Sequence, residues 1–295
     1  KRLFQNKNRR GINLFMNDKK NTKKQRKNDT ANIGTPALPN ISDIKKDTCE
    51  SQVKQEKIDE NSFFINAPLK EHHRRNLELE RGLTYETYSG HFISGCQELR
   101  SELEKLSPED RKRLGLEIKG NIDKLCEDVL IEIMKNEKGE IIQFRPGRFS
   151  LSEVEPEPFF AIKTKPVTYL AITESTKKAL AALELGFDAV LGTHGIATFT
   201  DKLKYKIKKI IKHLFPENII LIPDNERKDN PDFENYKPDA EKRYDVQYYT
   251  LRLADIIESW GYKVEVWIIP NKFRINGKVD LDSYLVQLKN SSKEV

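Results

Sequence analysis

Between residues 167 and 269 the chain alternates short, β-branched apolar runs with longer helical patterns. That alternation confines it to a parallel sheet covered by helices. The apolar runs fall at 167–173, 188–191, 218–223 and 263–269, and helical spacing covers 176–185, 201–214 and 240–260. Strand–helix–strand units of this size close right-handed, so the expected fold is α/β, with an open parallel four-stranded sheet flanked by helices. Such sheets bind ligands beyond the carboxyl ends of their strands. The first run ends at Glu174 and the third at Asp224 and Glu226. These two strands can adjoin, which would set three carboxylates around one point. Repulsion within such a cluster is costly unless a cation neutralises it. The pattern therefore points to Mg2+ or Mn2+ and to phosphate chemistry. Taken alone, Glu174 reads as a helix-start acid favoured by the dipole, and Asp224 and Glu226 as loop acids beside Asp229 and Asp232. The combination carries the weight.

Charge divides the chain unevenly. Residues 1–30 hold eleven Lys/Arg, among them Arg9, Arg10, Lys23 and Lys24, against two acids, a balance of +9 within a net charge of +6. The remaining 265 residues therefore carry −3. A basic tail binds polyanions by counterion release without reading sequence, so nucleic acid is the expected partner. Residues 1–66 are polar and weakly periodic, which suits a largely disordered tail. No apolar run is long enough to span a membrane. Cys49, Cys96 and Cys126 are scattered, without a CxxC pair, as expected of a reduced, cytoplasmic protein. The chain opens on lysine, which suits a segment of a longer polypeptide.

Residues 67–165 read as a small α+β region preceding the α/β domain at 166–290. Short helices are expected at 71–82 and 84–89, a turn at 90–95, and an amphipathic helix at 98–106. Ser107 and Pro108 open another helix as cap and first residue. Apolar residues recur at helical spacing over 122–134, and strands are expected at 140–144 and 159–164.

Further candidates surround the acids. Lys177 and Lys178 sit in the first turn of the helix behind Glu174, where basic residues oppose the dipole; a phosphate or the acid cluster would compensate them. His194 lies between Gly192 and Gly195 at the same sheet edge, within reach of a substrate phosphate. Asp280 and Asp282 read as a surface loop near a helix start that could add an outer acid. His72, His73, Arg74, Arg75 and Arg81 read as a solvated basic helix face. The helix at 201–214 carries Lys204, Lys206, Lys208, Lys209 and Lys212 outward, a surface that could line a nucleic-acid path. Trp260 and Trp267 are expected to pack in the core.

Three short motifs, ITESTKKA at 172–179, GTHG at 192–195 and IPDNE at 222–226, follow one another in an order that resembles the Toprim domain. That metal-binding fold has a glutamate after its first strand and an Asp-x-Asp after its third. The closer likeness is to an uncharacterised Toprim-like family of plasmid, phage and mobile-element replication proteins. LELERGLTYETYSGHFIS at 77–94, IQFRP at 142–146 and KVDLDSY at 278–284 look like that family's flanking segments, so the resemblance covers residues 72–288. It implies a DNA-replication module, with Glu174, Asp224 and Glu226 as catalytic and metal-ligating residues. Glu174 would serve as ligand or general base, and Asp224 and Glu226 would hold Mg2+ or Mn2+. Lys177, Lys178 and His194 would contact nucleic acid, and a helicase or polymerase module would be a partner. Primer synthesis is the expected reaction. A Toprim-type nuclease and a catalytically silent DNA-binding scaffold are the alternatives. Two departures favour the scaffold: Ser175 stands where glycine is usual, and Glu226 where aspartate is. The metal reading requires Glu174 and Asp224 to face a common ion. A lysine or arginine lodged between them would remove it.

Overall fold

Leu170 and Ile172 face one side of their strand and Ala171 the other, and every neighbouring strand repeats this alternation. The computed structural model describes residues 60–148, 150–195, 201–226 and 246–292. Arg9, Arg10, Lys23 and Lys24 lie outside the described residues, as do Asp229 and Asp232.

The N-terminal part runs α1 (Glu60–Asn66), α2 (Glu71–Arg75), a π-helical turn (Asn76–Glu80), α3 (Tyr85–Tyr88), β1 (Phe92–Ser94), α4 (Gln97–Lys105), α5 (Pro108–Arg113), α6 (Asn121–Cys126), β2 (Leu130–Lys135) and β3 (Ile141–Pro146). Strands β1, β2 and β3 form an antiparallel sheet with β2 in the middle. Ser107 caps α5 as expected, its hydroxyl accepting the Asp110 N–H at 3.1 Å. Three expectations fail here. The stretch 1–66, expected to be a largely disordered tail, ends in α1, whose Phe63 is buried in the core. The turn at 90–95 contains β1, and the helical pattern over 122–134 breaks after Cys126 and resumes as β2. The central strand is buried on both sides. Ile131 and Ile133 pack with Phe63, Leu99, Leu103 and Phe144, whereas Leu130 and Met134 face the larger domain.

The second part runs β4 (Phe159–Ile162), β5 (Tyr169–Thr173), α7 (Thr176–Glu184), β6 (Ala189–Gly192), α8 (Asp201–Leu214), β7 (Asn218–Leu221), β8 (Asn225–Glu226), α9 (Val246–Glu258), β9 (Val264–Val266), β10 (Lys278–Val279) and α10 (Leu281–Ser291). Its main sheet has the order β4-β6-β5-β7-β9. The four expected strands are parallel to one another, but the sheet is five-stranded and mixed. Strand β4 adds to its edge antiparallel to β6.

Helices α8 and α9 cover one face through Leu203, Ile207, Ile211, Leu253 and Ile257. Helices α7 and α10 cover the other through Ala179, Leu180, Leu183, Leu281 and Leu285, together with Leu77, Leu83 and Tyr88 from upstream. Trp260 and Trp267 are only partly buried and pack at the margins of these clusters. Among the described residues no helix is long and apolar enough to cross a membrane.

Candidate functional site

The pairing of β5 with β7 brings the acids together. Parallel registry runs from Tyr169 opposite Asn218 to Ile172 opposite Leu221, and the Ile222 N–H extends it by donating to the Ile172 carbonyl at 2.9 Å. Both chains then turn away at the same level. Glu174 follows β5, Asp224 follows β7, and the Asp224 N–H points at Glu174 Oε1 at 3.4 Å. Glu174 and Asp224 thus share one edge of the sheet.

The cation between them is a lysine. Lys178, one helical turn after Glu174, puts its Nζ against Asp224 Oδ1 and 3.9 Å from Glu174 Oε2. Asp224 Oδ2 accepts from Lys278 Nζ at 3.1 Å. The short antiparallel pair β8–β10 makes that second contact, because Lys278 lies opposite Glu226 and beside the Asp224 turn. Asn225 holds the turn by donating to the Ile269 carbonyl at 2.6 Å. The side chains are sheltered, with exposures of 5% for Asp224, 13% for Lys178 and 17% for Glu174. The Glu226 side chain lies outside the described residues.

This donor set does not fit Mg2+ or Mn2+ as it stands. A hard cation needs oxygen ligands with free lone pairs, and both Asp224 oxygens are engaged by ammonium groups. Among the described residues, three ligating side chains come within 4.8 Å of one another only at His72, His73 and Asp128. That group is far from carboxylate-rich, and its donors are also engaged. Lys70 and His72 contact the same Asp128 oxygen at 2.8 and 3.5 Å, and His73 Nδ1 is bonded to Ser94 Oγ at 2.8 Å.

The start of α7 is packed by backbone. Ser175 is its N-cap residue and makes no side-chain capping bond. A Cβ on Gly192 would lie 2.9 Å from the Ser175 carbonyl carbon and oxygen and 3.0 Å from Thr176 N. Gly192 is therefore the residue that lets the two backbones approach at this edge.

Lys177 takes a different direction from Lys178. Burial lowers its pKa, and the nearby Glu132 carboxylate offsets part of that loss. Glu132 is the acid of β2 that faces the larger domain. It accepts the Thr176 hydroxyl at 2.7 Å and lies 3.6 Å from Arg145 Nη1. Arg145 also contacts His194 Nδ1, and His194 Nε2 meets the Glu157 carbonyl. The expected nucleic-acid contact at His194 is thus a link in an internal network.

Asp280 and Asp282 do not form a surface loop. Asp280 caps α10, accepting the Ser283 N–H at 3.2 Å. Asp282 is 1% exposed and binds Arg81 Nη1 at 2.6 Å across 201 residues of chain. Burial and the neighbouring Asp282 raise the Asp280 pKa. Burial also pushes Asp282 up, but the Asp280 contact and the Arg81 guanidinium outweigh it and hold the carboxyl below its ordinary value. Arg81 is accordingly a structural partner of a buried acid, not part of a solvated face.

Sequence reasoning missed Glu132, Arg145 and Lys278. A single carboxylate within the apolar run 130–134 was a usable signal for Glu132. Arg145 and Lys278 fall within the flanking segments IQFRP and KVDLDSY, which gave them no role of their own. No family model, characterised protein or solved structure matched the chain.

Proposed function

We propose that the chain is a nucleic-acid-binding module of a DNA-replication protein, a Toprim-like scaffold whose acidic edge is neutralised by its own lysines. The single observation that carries the scaffold reading is the placement of Lys178 and Lys278 on the two oxygens of Asp224. A metal-dependent phosphoryl or nucleotidyl transferase leaves such oxygens open to a divalent ion and to substrate. The Toprim-like frame is supported by the parallel order β6-β5-β7-β9 with acids following β5 and β7. DNA as partner is supported by the +9 balance of residues 1–30. A helicase or polymerase module, in the same or another chain, is the partner that such a scaffold would recruit.

The full chain, incubated with single-stranded DNA, labelled nucleotides and Mg2+ or Mn2+, tests this reading. DNA binding without synthesis or scission, unchanged in Glu174→Ala, is the expected result. Metal-dependent oligonucleotide synthesis that Glu174→Ala abolishes would replace the scaffold by a primase, and strand scission would replace it by a nuclease. Absence of DNA binding would overturn all three.

A further inference from the structure

Five of the six lysines of helix α8 fall into two groups. Those on the flank toward the small α+β region are paired with its acids: Lys202 with Glu155, Lys206 with Glu157 at 2.6 Å, and Lys209 with Glu137 at 3.1 Å. The outward stripe is different in kind. Tyr205, Lys208 and Lys212 follow one another at intervals of three and four residues, which places them on one side of the helix, and Phe215 lies just beyond its last residue. Tyr205 is 71% exposed and Phe215 81%. Lys208 Nζ lies 5.4 Å from the centroid of Trp260, a third aromatic beside the stripe. Lys212 has no carboxylate partner among the described residues.

Phe215 adds an observation of another type. It follows the last residue of α8 with φ 46°, a left-handed conformation that favours glycine or asparagine. A phenylalanine there is strained, and its ring gains almost no packing in return. Tertiary stability gives no reason for this residue.

Resting on the nucleic-acid reading above, we infer that the outer stripe of α8 is a track for single-stranded nucleic acid. Tyr205 and Phe215 stack unpaired bases, and Lys208 and Lys212 meet the phosphates. Aromatic faces interleaved with lysines suit a single strand because every base offers a π face. A duplex keeps its bases stacked internally and would use only the lysines. The stripe runs about 15 Å along the helix, which accommodates a short run of nucleotides.

Fluorescence anisotropy of the full chain with a labelled 20-nucleotide single strand, and with its duplex, tests the inference. Tyr205→Ala with Phe215→Ala should weaken single-strand binding by about 10-fold or more and leave duplex binding unchanged. Lys208→Ala with Lys212→Ala should weaken both and lower the single-strand salt slope by about 1.4. All four side chains are on the surface, so these variants fold. Wild-type binding with no loss in the aromatic double variant would overturn the track and leave the proposed function standing. Absence of binding by the wild type would overturn both. Unchanged single-strand affinity, with loss of binding to phosphatidylserine vesicles, would replace the track by a membrane-surface contact.

Discussion

Lys178 and Asp224, 46 residues apart, form the ion pair that closes the acidic edge of the main sheet. The pair is well sheltered from water, and removing one partner of such a pair leaves an uncompensated buried charge. Lys178→Ala should destabilise the fold by about 3 kcal/mol, moderated by the second contact from Lys278. The same variant frees Asp224 Oδ1 beside Glu174. Added Mg2+ should therefore raise the melting temperature of Lys178→Ala and leave that of the wild type unchanged. Urea unfolding and thermal melting with and without Mg2+ measure both effects. A wild type that Mg2+ stabilises would show that the lysine yields to the ion.

Gly192 sets the position of that edge. With its Cβ site 2.9 Å from the Ser175 backbone, Gly192→Ala cannot be relieved by rotating a side chain. It should cost about 2 kcal/mol and shift the start of α7, displacing Glu174 just before the helix and Lys178 within it. Urea unfolding gives the loss. Gly186→Ala is no equivalent control, because Gly186 has φ 99°.

The strand–helix alternation is legible because β5, β6 and β7 bury both faces and each helix buries one, and these periods survive in the residues. The same reasoning explains the errors. Leu130, Ile131, Ile133 and Met134 are buried on opposite faces of β2, and a continuous apolar run does not separate a strand from a buried helix. Strand β1 has three residues, too few to show a period. Glu174 and Asp224 are legible because topology brings strand ends together. For Lys178 the sequence leaves a choice between a phosphate and the acid cluster, since the outcome depends on side-chain reach across two elements. The Arg81–Asp282 bond spans 201 residues, and no local pattern encodes it.

The basic tail makes a prediction from charge alone. Deleting residues 1–30 removes a balance of +9. DNA binding should weaken at low salt, and the slope of log K against log salt should fall by about 0.7 for each single-strand phosphate that the tail no longer neutralises. Titrations at several salt concentrations read this directly. An unchanged slope would show that the tail does not touch DNA.

Two histidines should make stability depend on pH. His73 is lowered to about 4, by burial and then by His72, and His91 to about 4, by burial and then by Lys135. In the unfolded chain both titrate near 6.5. The folded state therefore keeps them neutral while the unfolded state takes up protons below 6.5. Their contribution is complete above pH 6.5 and is lost as pH falls toward 4. The melting temperature should drop across that window, by about 2–4 °C for each kcal/mol lost. His91 packs edge-on against Phe159 at 5.1 Å between ring centroids, so His91→Phe keeps an aromatic ring there and should flatten the profile. An identical pH profile in that variant would assign the acid sensitivity to other groups.

Phe215 lets stability and function be separated. Its left-handed backbone, φ 46°, disfavours any side chain with a Cβ, and its 81% exposure means that little packing is lost when the ring is removed. Phe215→Gly should consequently stabilise the protein by about 1 kcal/mol, measured as a rise in the urea midpoint at unchanged slope. Glycine also adds backbone freedom to the unfolded chain, which works in the opposite direction, so the gain is smaller than the strain relieved. Phe215→Ala keeps the strained backbone and loses only the ring, and its stability should stay near that of the wild type. If the ring stacks a base, both variants should lose single-strand affinity to the same degree, although only one of them gains stability. A loss of stability in Phe215→Gly would mean that the ring supports the end of α8, and the strain would then need no functional explanation.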